Sequence, residues 1–96
     1  MPRSGSHVAF APDVVFRVID GEALVLKLQG ELVFSLNETG ARIAELISDN
    51  RSPSAIAEQL SREYALETAD AAREVDALIR ALESRGLVVV TPQESR

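Results

Sequence analysis

Side chains that could do chemistry are few and scattered in this 96-residue chain. It has one histidine, His7, and no cysteine, so there is neither a thiolate nucleophile nor a pair of groups placed for acid–base catalysis. Three carboxylates, Asp70, Glu74 and Asp76, crowd the start of a predicted helix. They could hold a metal ion, but acidic side chains at a helix N-terminus usually just complement the helix dipole.

Phosphate-binding and serine-nucleophile motifs are also missing from the sequence. The five glycines stand singly, which excludes a glycine-rich phosphate loop. The serines lack the glycine-flanked pattern of a nucleophile elbow. The sequence therefore predicts a protein that is not an enzyme, has no catalytic residue and holds no metal or cofactor.

Composition and charge restrict the class of partner. The net charge is −5 and the isoelectric point is near 4.8, whereas binding to nucleic acid needs clustered lysine and arginine. Hydrophobic residues make up 46% of the chain, which is typical of a globular protein, and no apolar run is long enough to span a membrane. No secretion signal is visible. We therefore expect a cytoplasmic domain that binds neither nucleic acid nor membrane.

Three strands are predicted in the first half of the chain, over residues 14–19, 22–28 and 31–36. Asp20-Gly21 is a strong signal for a two-residue hairpin turn, because both residues tolerate positive φ. Gln29-Gly30 is a weaker signal of the same kind. Two-residue turns would pair Ile19 with Glu22, Phe16 with Val25, Val25 with Phe34 and Ala23 with Leu36.

This pairing gives the predicted sheet two faces. The face toward the core collects apolar side chains and one lysine: Val14, Phe16, Val18, Ala23, Val25, Lys27, Leu32, Phe34 and Leu36. The outer face is more apolar than a solvated face normally is. Besides its polar residues it carries six apolar ones: Val15, Ile19, Leu24, Leu26, Leu28 and Val33. We therefore expect the outer face to form a homodimer or to dock a partner protein.

Three helices are predicted to follow, over residues 38–47, 53–64 and 69–85. Asn37 and Ser52 suit the N-cap positions of the first two, and Gly86 suits the stop of the third. Residues 87–91 could add a short strand. Residues 1–13 are predicted to be a flexible arm, residues 14–91 a single domain and residues 92–96 a polar tail. The predicted fold is α+β and winged-helix-like, a three-stranded antiparallel β-meander followed by three α-helices.

Binding is predicted where the third strand meets the first helix. The hydrophobic spacing changes there from strand-like alternation to helical spacing, within residues 32–43 and without room for a loop. The third strand is an edge unless something covers it, and its free backbone groups could take an extended peptide as a fourth strand. A stripe on the third helix could form the facing wall: Ala72, Asp76, Ile79 and Glu83.

Two alternatives stay open at this level. The order of the elements superficially fits an acidic winged-helix protein that binds DNA or is associated with transcription. Residues 67–85 carry five carboxylates against three arginines, however, and such a helix would repel phosphates. The other alternative is that the stripe is ordinary core and solvated flank, and that a second copy covers the strand edge.

Three groups of residues form a family pattern. They are Phe34, Leu36-Asn37, Thr39-Gly40-Ala41, Ile43 and Leu46; then Ser52, Ile56-Ala57, Leu60 and Tyr64; and finally Val75, Leu78-Ile79, Leu82 and Gly86-Leu87. With them, residues 15–88 resemble the PqqD family, the RiPP recognition elements of peptide natural-product biosynthesis. The sequence departs from the pattern at Ala44, where many relatives have tryptophan, so the core near the first helix is expected to be smaller or repacked.

The resemblance implies that the protein binds the leader segment of a ribosomally synthesised precursor peptide and presents it to modifying enzymes. The implied partners are a leader protease and a cyclase, as in lasso-peptide pathways, or a radical SAM enzyme, as in PQQ biosynthesis, and the sequence looks slightly more like the lasso type. The implied cleft lies between the third strand and the third helix. The predicted peptide-binding residues are Glu31, Leu32, Val33, Phe34, Ser35, Ala72, Val75, Asp76, Ile79 and Glu83.

Overall fold

The computed structural model describes residues 7–91, except for the side chain of Val33. The elements in chain order are β1 (His7–Phe10), β2 (Val14–Ile19), β3 (Glu22–Lys27), β4 (Leu32–Leu36), α1 (Glu38–Ser48), α2 (Pro53–Tyr64), α3 (Thr68–Ser84) and β5 (Val88–Thr91). Strands β2, β3 and β4 form an antiparallel meander, and β1 pairs with β5 in a second, two-stranded sheet. The predicted α+β fold, with antiparallel strands followed by three helices, is confirmed.

The predicted register of the first hairpin is confirmed. Asp20 and Gly21 both have positive φ, 53° and 80°, as a two-residue turn of the I′ kind requires. That turn places Ile19 opposite Glu22 and carries the pairing through Phe16 and Val25. Val18 was predicted to face the core but is 44% exposed, because it lies beside the hairpin tip on a strand that pairs on one side only.

The second turn is longer than predicted. The N–H of Lys27 donates to the carbonyl of Glu31 at 2.9 Å, so the loop holds three residues and ends at Gly30, whose φ is 93°. A register shift between Val25 and Leu26 absorbs the extra residue. The predicted pairs Val25–Phe34 and Ala23–Leu36 are therefore present.

The bulge overturns the prediction for Leu32. This residue pairs with Leu26, which lies on the outer face, and so Leu32 leaves the core face and is 54% exposed. The side chain of Val33, the residue that the bulge leaves without a partner in the register, lies outside the described part of the chain.

The flexible arm predicted over residues 1–13 is wrong for residues 7–10. These residues form β1, which pairs with β5 from His7 opposite Thr91 to Phe10 opposite Val88. Val8 is fully buried in the core, and the rings of Phe10 and Phe16 lie 5.3 Å apart. Burial of these apolar side chains outweighs the Gly, Ser and Pro content that suggested an arm. Residues 1–6 and 92–96 lie outside the described residues.

The helices begin and end at the predicted caps. Asn37 Oδ1 accepts from the N–H of Gly40 at 2.9 Å, and Ser52 Oγ accepts from the N–H of Ala55 at 3.1 Å. Both bonds satisfy an N–H group that would otherwise be unpaired in the first helical turn. Gly86 follows α3 with a φ of 72°, the left-handed conformation that ends helices.

One hydrophobic core joins the helices to both sheets. Its largest fully buried side chains are Val8, Val25, Ile43, Leu46, Ile47, Ile56, Leu60, Val75, Ile79, Leu82 and Leu87. Ala44 is completely buried among them. Within residues 7–91, no helix has the length and apolar character needed to cross a membrane.

Candidate functional site

The outer edge of β4 is open. Within residues 7–91, β4 pairs with β3 only. Because Lys27 directs its N–H toward the β4 side, alternation along β3 makes Val25 and Ala23 do the same. Their partners on β4, Phe34 and Leu36, must then direct their backbone groups back to β3. Ser35, which lies between those two partners, presents its N–H and C=O to the open edge.

A groove of about 470 Å³ lies beside this edge, between β4, the start of α1 and one side of α3. Its walls are Phe34, Ser35, Leu36, Asn37, Gly40 and Ile43 on one side and Glu74, Ala77, Leu78 and Ala81 on the other. The small residues leave the space open, and the lining combines apolar with polar surface. Such a surface suits an extended peptide that adds to a strand and inserts alternate side chains.

Gly40 brings the first turn of α1 close to the end of β4. A Cβ atom at this position would lie 3.2 Å from Cβ of Leu36 and 3.3 Å from Oδ1 of Asn37. The absence of a side chain therefore permits both the N-cap bond and the direct passage from strand to helix. The predicted strand-to-helix junction is thus part of the wall of the groove.

The helical wall is one flank of α3. Its groove residues recur at helical spacing, and Arg85 extends the same stripe. The core stripe of the helix, with Ala71, Val75, Ile79 and Leu82, is turned from this flank by about 90° at 3.6 residues per turn. Ala72, Asp76 and Glu83 lie on the opposite flank, about 90° beyond the core stripe.

The structure brings together only some of the predicted site residues. Phe34 and Ser35 line the groove, while Leu32 is exposed on the outer face, and the carbonyl of Glu31 faces β3. On α3, Val75 and Ile79 are fully buried in the core, and the other predicted positions, Ala72, Asp76 and Glu83, do not line the groove.

Four residues that line the groove are not among the predicted site residues: Glu74, Ala77, Leu78 and Ala81. A core stripe has two flanks, and helical periodicity does not tell which one faces β4. The signal in the sequence is Leu78, which belongs to the apolar pattern of the helix. In the structure this residue is only half-buried. Two alanines at the neighbouring groove positions, Ala77 and Ala81, mark the side where a partner can approach closely.

Charges on α3 are largely paired within the helix. Arg73 pairs with Asp70, and Arg80 pairs with Asp76 at 2.9 Å. The guanidinium of Arg85 instead lies over the ring of Phe34, with its Cζ 4.9 Å from the ring centroid. The arginines of this helix therefore do not present a free basic surface.

The wall formed by α1 is tied to α2 by an ion-pair network. Arg42 donates from Nε and Nη2 to the two carboxylate oxygens of Glu63, each at 2.8 Å, and from Nη1 to Glu45 at 3.0 Å. Hydrogen bonding from Arg42 lowers the pKa of the Glu63 carboxyl to about 2. This bidentate pair links α1 to the end of α2.

Residues 7–91 contain no group of three or more His, Asp or Glu side chains placed to hold a metal ion. Asp70, Glu74 and Asp76 therefore do not form such a group. Asp70 is paired with Arg73, and Glu74 faces the groove. The features that the groove offers to a ligand are its shape, the backbone hydrogen-bonding groups of the β4 edge and a few charged side chains.

These features define a class of protein: an α+β domain with an open strand edge beside a helix, the arrangement used for peptide binding by strand addition. The chain belongs to the PqqD family, because the family described as coenzyme PQQ synthesis protein D (PqqD) matches residues 22–88. The predicted family is thus confirmed.

Two solved structures are similar to this chain over most of its length. One is TbiB1 in complex with the TbiA(beta) leader peptide, with 30% identity, a TM-score of 0.75, and coverage of 83% of this chain and 93% of that one. The other is lasso peptide synthetase B1 complexed with the leader peptide, with 30% identity, a TM-score of 0.74, and coverage of 85% and 96%. A search of curated protein sequences found no match.

Proposed function

We propose that this protein binds the leader segment of a ribosomally synthesised precursor peptide, as a strand added to β4 and packed against α3. The observation that carries the proposal is the open edge at Ser35 beside the groove with α3. Two proteins of the same fold and 30% identity support it, because both form complexes with a leader peptide. The role is one of binding and presentation, without catalysis by this chain.

The groove gives the two components that such binding needs. Backbone pairing with Ser35 supplies affinity that tolerates many sequences, and the pockets over Leu78 and Ala81 discriminate between side chains. The alternative, DNA binding through α3, is disfavoured because Arg73 and Arg80 are neutralised by pairs within the helix. An acidic helix of this kind repels phosphates.

Ser35→Pro tests the strand addition directly. Proline removes the N–H at the open edge and leaves the bonds of Phe34 and Leu36 to β3 in place. We expect the affinity for a fluorescently labelled leader peptide to fall at least tenfold, because a main-chain hydrogen bond contributes about 1 kcal/mol and the ring blocks close approach.

Val18→Pro is the matched control. It removes an outward N–H from β2, the other open edge of the same sheet, so the two variants should lose similar stability. Only the Ser35 variant should lose peptide affinity. Equal affinity of both variants for the leader peptide would remove β4 from the binding site.

The proposed partner enzyme belongs to a lasso-type pathway, with a leader protease and a cyclase. The resemblance to lasso peptide synthetase B1 supports this assignment over a radical SAM enzyme. Pull-down of the protein and its leader peptide with each class of enzyme tests the assignment. Retention of a radical SAM enzyme alone would reverse it.

We propose further that the outer face of the meander docks this enzyme, with a homodimer as the alternative. Val15 and Ile19 are 41% and 54% exposed there, and Leu28 is 67% exposed at the end of β3. Burying these side chains against a partner would be favourable.

Val15→Glu tests the outer face, and Val89→Glu is its control because Val89 is equally a strand valine, 53% exposed, on the β1–β5 sheet. We expect the Val15 variant to lose binding of the enzyme while still binding leader peptide. Sedimentation of both variants distinguishes the homodimer, since its loss would appear as a change in mass without any enzyme present.

A further inference from the structure

Two charged side chains at the groove stand apart from the ion pairs of α3. Within residues 7–91, neither Glu74 nor Arg85 takes part in a salt bridge, although Arg73 and Arg80 on the same helix do. Both are exposed. A peptide in the groove could therefore pair with them without breaking an existing ion pair.

These two charges mark opposite ends of the groove. Arg85 lies over Phe34, at the end where the strand wall begins. The ion pair of Arg42 with Glu63 places the end of α2, and with it the start of α3, beside the first turns of α1, into which β4 runs. The start of α3 therefore lies near the end of β4, and the two elements run in opposite directions.

A second groove adjoins the first at the Glu74 end. That second groove, of about 560 Å³, is lined by Leu66, Asp70, Arg73, Glu74 and Ala77. It shares Glu74 and Ala77 with the first groove and includes no residue of β4. A bound peptide can therefore continue past the end of the strand toward the loop between α2 and α3.

We propose that Glu74 and Arg85 select the order of charges in the bound peptide and so fix its direction; this inference rests on the proposed function. The meander is antiparallel throughout, and a fourth antiparallel strand would run in the same direction as α3. Its N-terminal part lies at Glu74 and its C-terminal part at Arg85. The preferred peptide has a basic residue first and an acidic residue later.

The distance between the two charges sets the spacing. Arg85 lies eleven positions after Glu74, which is about 16 Å along a helix at roughly 1.5 Å per residue. An extended strand covers this distance in about five residues. Only alternate side chains of the peptide face α3, so its two charged residues must be an even number of positions apart. A separation of four positions is suitable because the charged side chains are long, and it places an apolar residue midway, over Leu78. The recognised pattern is basic-x-apolar-x-acidic.

Two synthetic ten-residue peptides test the inference, one with Lys-Thr-Leu-Thr-Glu at its centre and the other with Glu-Thr-Leu-Thr-Lys. Their compositions are identical. We expect the wild-type protein to bind the first about tenfold more tightly at low salt, from two exposed charge pairs that become repulsive in the second. The preference should shrink at 0.5 M salt, because exposed charges are screened.

The double variant Glu74→Arg/Arg85→Glu should reverse this preference. The matched control is Asp76→Arg/Arg80→Glu, which exchanges charges elsewhere on the same helix and should leave the preference unchanged. Equal binding of the two peptides, with loss of both in Ser35→Pro, would overturn the charge selection while the proposed function stands. Absence of binding of either peptide at about 1 mM would overturn both.

Discussion

The N-cap of α1 connects the stability of the fold to the shape of the groove. Asn37 Oδ1 accepts the N–H of Gly40 at 2.9 Å, and both residues line the groove. Ser52 caps α2 in the same way, with its hydroxyl oxygen 3.1 Å from the N–H of Ala55, but it lies outside the groove. Asn37→Ala and Ser52→Ala therefore remove equivalent caps from two helices that differ in their relation to the site.

The expected loss of stability is the same for both variants. Removing an N-cap side chain costs about 1 kcal/mol. For 96 residues, an unfolding entropy of roughly 2.1 cal/mol/K per residue gives about 200 cal/mol/K, so Tm should fall by about 5 °C. If peptide binding requires the capped turn, the free energy of binding can weaken by at most the same amount. A loss of about 1 kcal/mol corresponds to a roughly fivefold increase in Kd.

Thermal unfolding and peptide titration, each done on both variants, separate the two effects. We expect Tm to fall by similar amounts, whereas the Kd for leader peptide at 10 °C should rise two- to fivefold only in Asn37→Ala. Asn37→Asp, which retains a capping oxygen, should restore both quantities. An unchanged Kd in Asn37→Ala, with Tm lowered as in Ser52→Ala, would refute the coupling between the cap and the groove.

Three other predictions concern the acid sensitivity, the end of α3 and the helical wall. Because hydrogen bonding to Arg42 lowers the pKa of Glu63 from 4.5 to about 2, the pair stabilises the fold above pH 4.5. Urea titrations should show that the free energy of unfolding of the wild type exceeds that of Glu63→Gln by at most about 1 kcal/mol there, and this difference should be lost as the pH falls through about 2. Gly86→Ala should reduce the free energy of unfolding by about 1 kcal/mol, since its φ is 72°, and Gly86→Asn by less. Leu78→Asp should weaken peptide binding more than tenfold in calorimetry through loss of an apolar contact and an uncompensated buried charge, and Ala72→Asp on the other flank should not.

Local turn chemistry made the first hairpin predictable, and the same kind of chemistry explains the error in the second. Asp20-Gly21 admits one tight turn, so the register follows from it. Gln29-Gly30 predicts a two-residue loop, but Gly30 also suits the last position of a three-residue loop. The extra loop residue and the bulge opposite Leu26 compensate each other in the register. The predicted pairs Val25–Phe34 and Ala23–Leu36 are therefore correct, whereas the predicted face of Leu32 is wrong.

Long-range packing explains why the helical half of the site could not be predicted in detail. Periodicity locates α3 itself, because an apolar stripe is a property of one helix, but Val75 and Ile79, which were predicted to bind peptide, lie in its buried stripe. The choice between its flanks depends on the direction from which β4 approaches, and that is decided by contacts remote in sequence. The strand β1 is not predicted for the same reason, since its strand partner within residues 7–91 is β5, at the other end of the domain.

The two open edges of the meander give opposite expectations for amide exchange. Ser35 on β4 and Val18 on β2 both direct their N–H groups away from β3 by the register, so both amides should exchange quickly in the free protein. Within the described part of the chain, β4 lies beside the groove with α3, which can hold an added strand. At a peptide concentration of about ten times Kd, the Ser35 amide should exchange roughly tenfold more slowly, in proportion to the fraction left free, while the Val18 amide keeps its rate. Protection of Val18 in place of Ser35 would move the peptide to β2, an edge without the α3 wall, and the selectivity assigned to that wall would have to be abandoned.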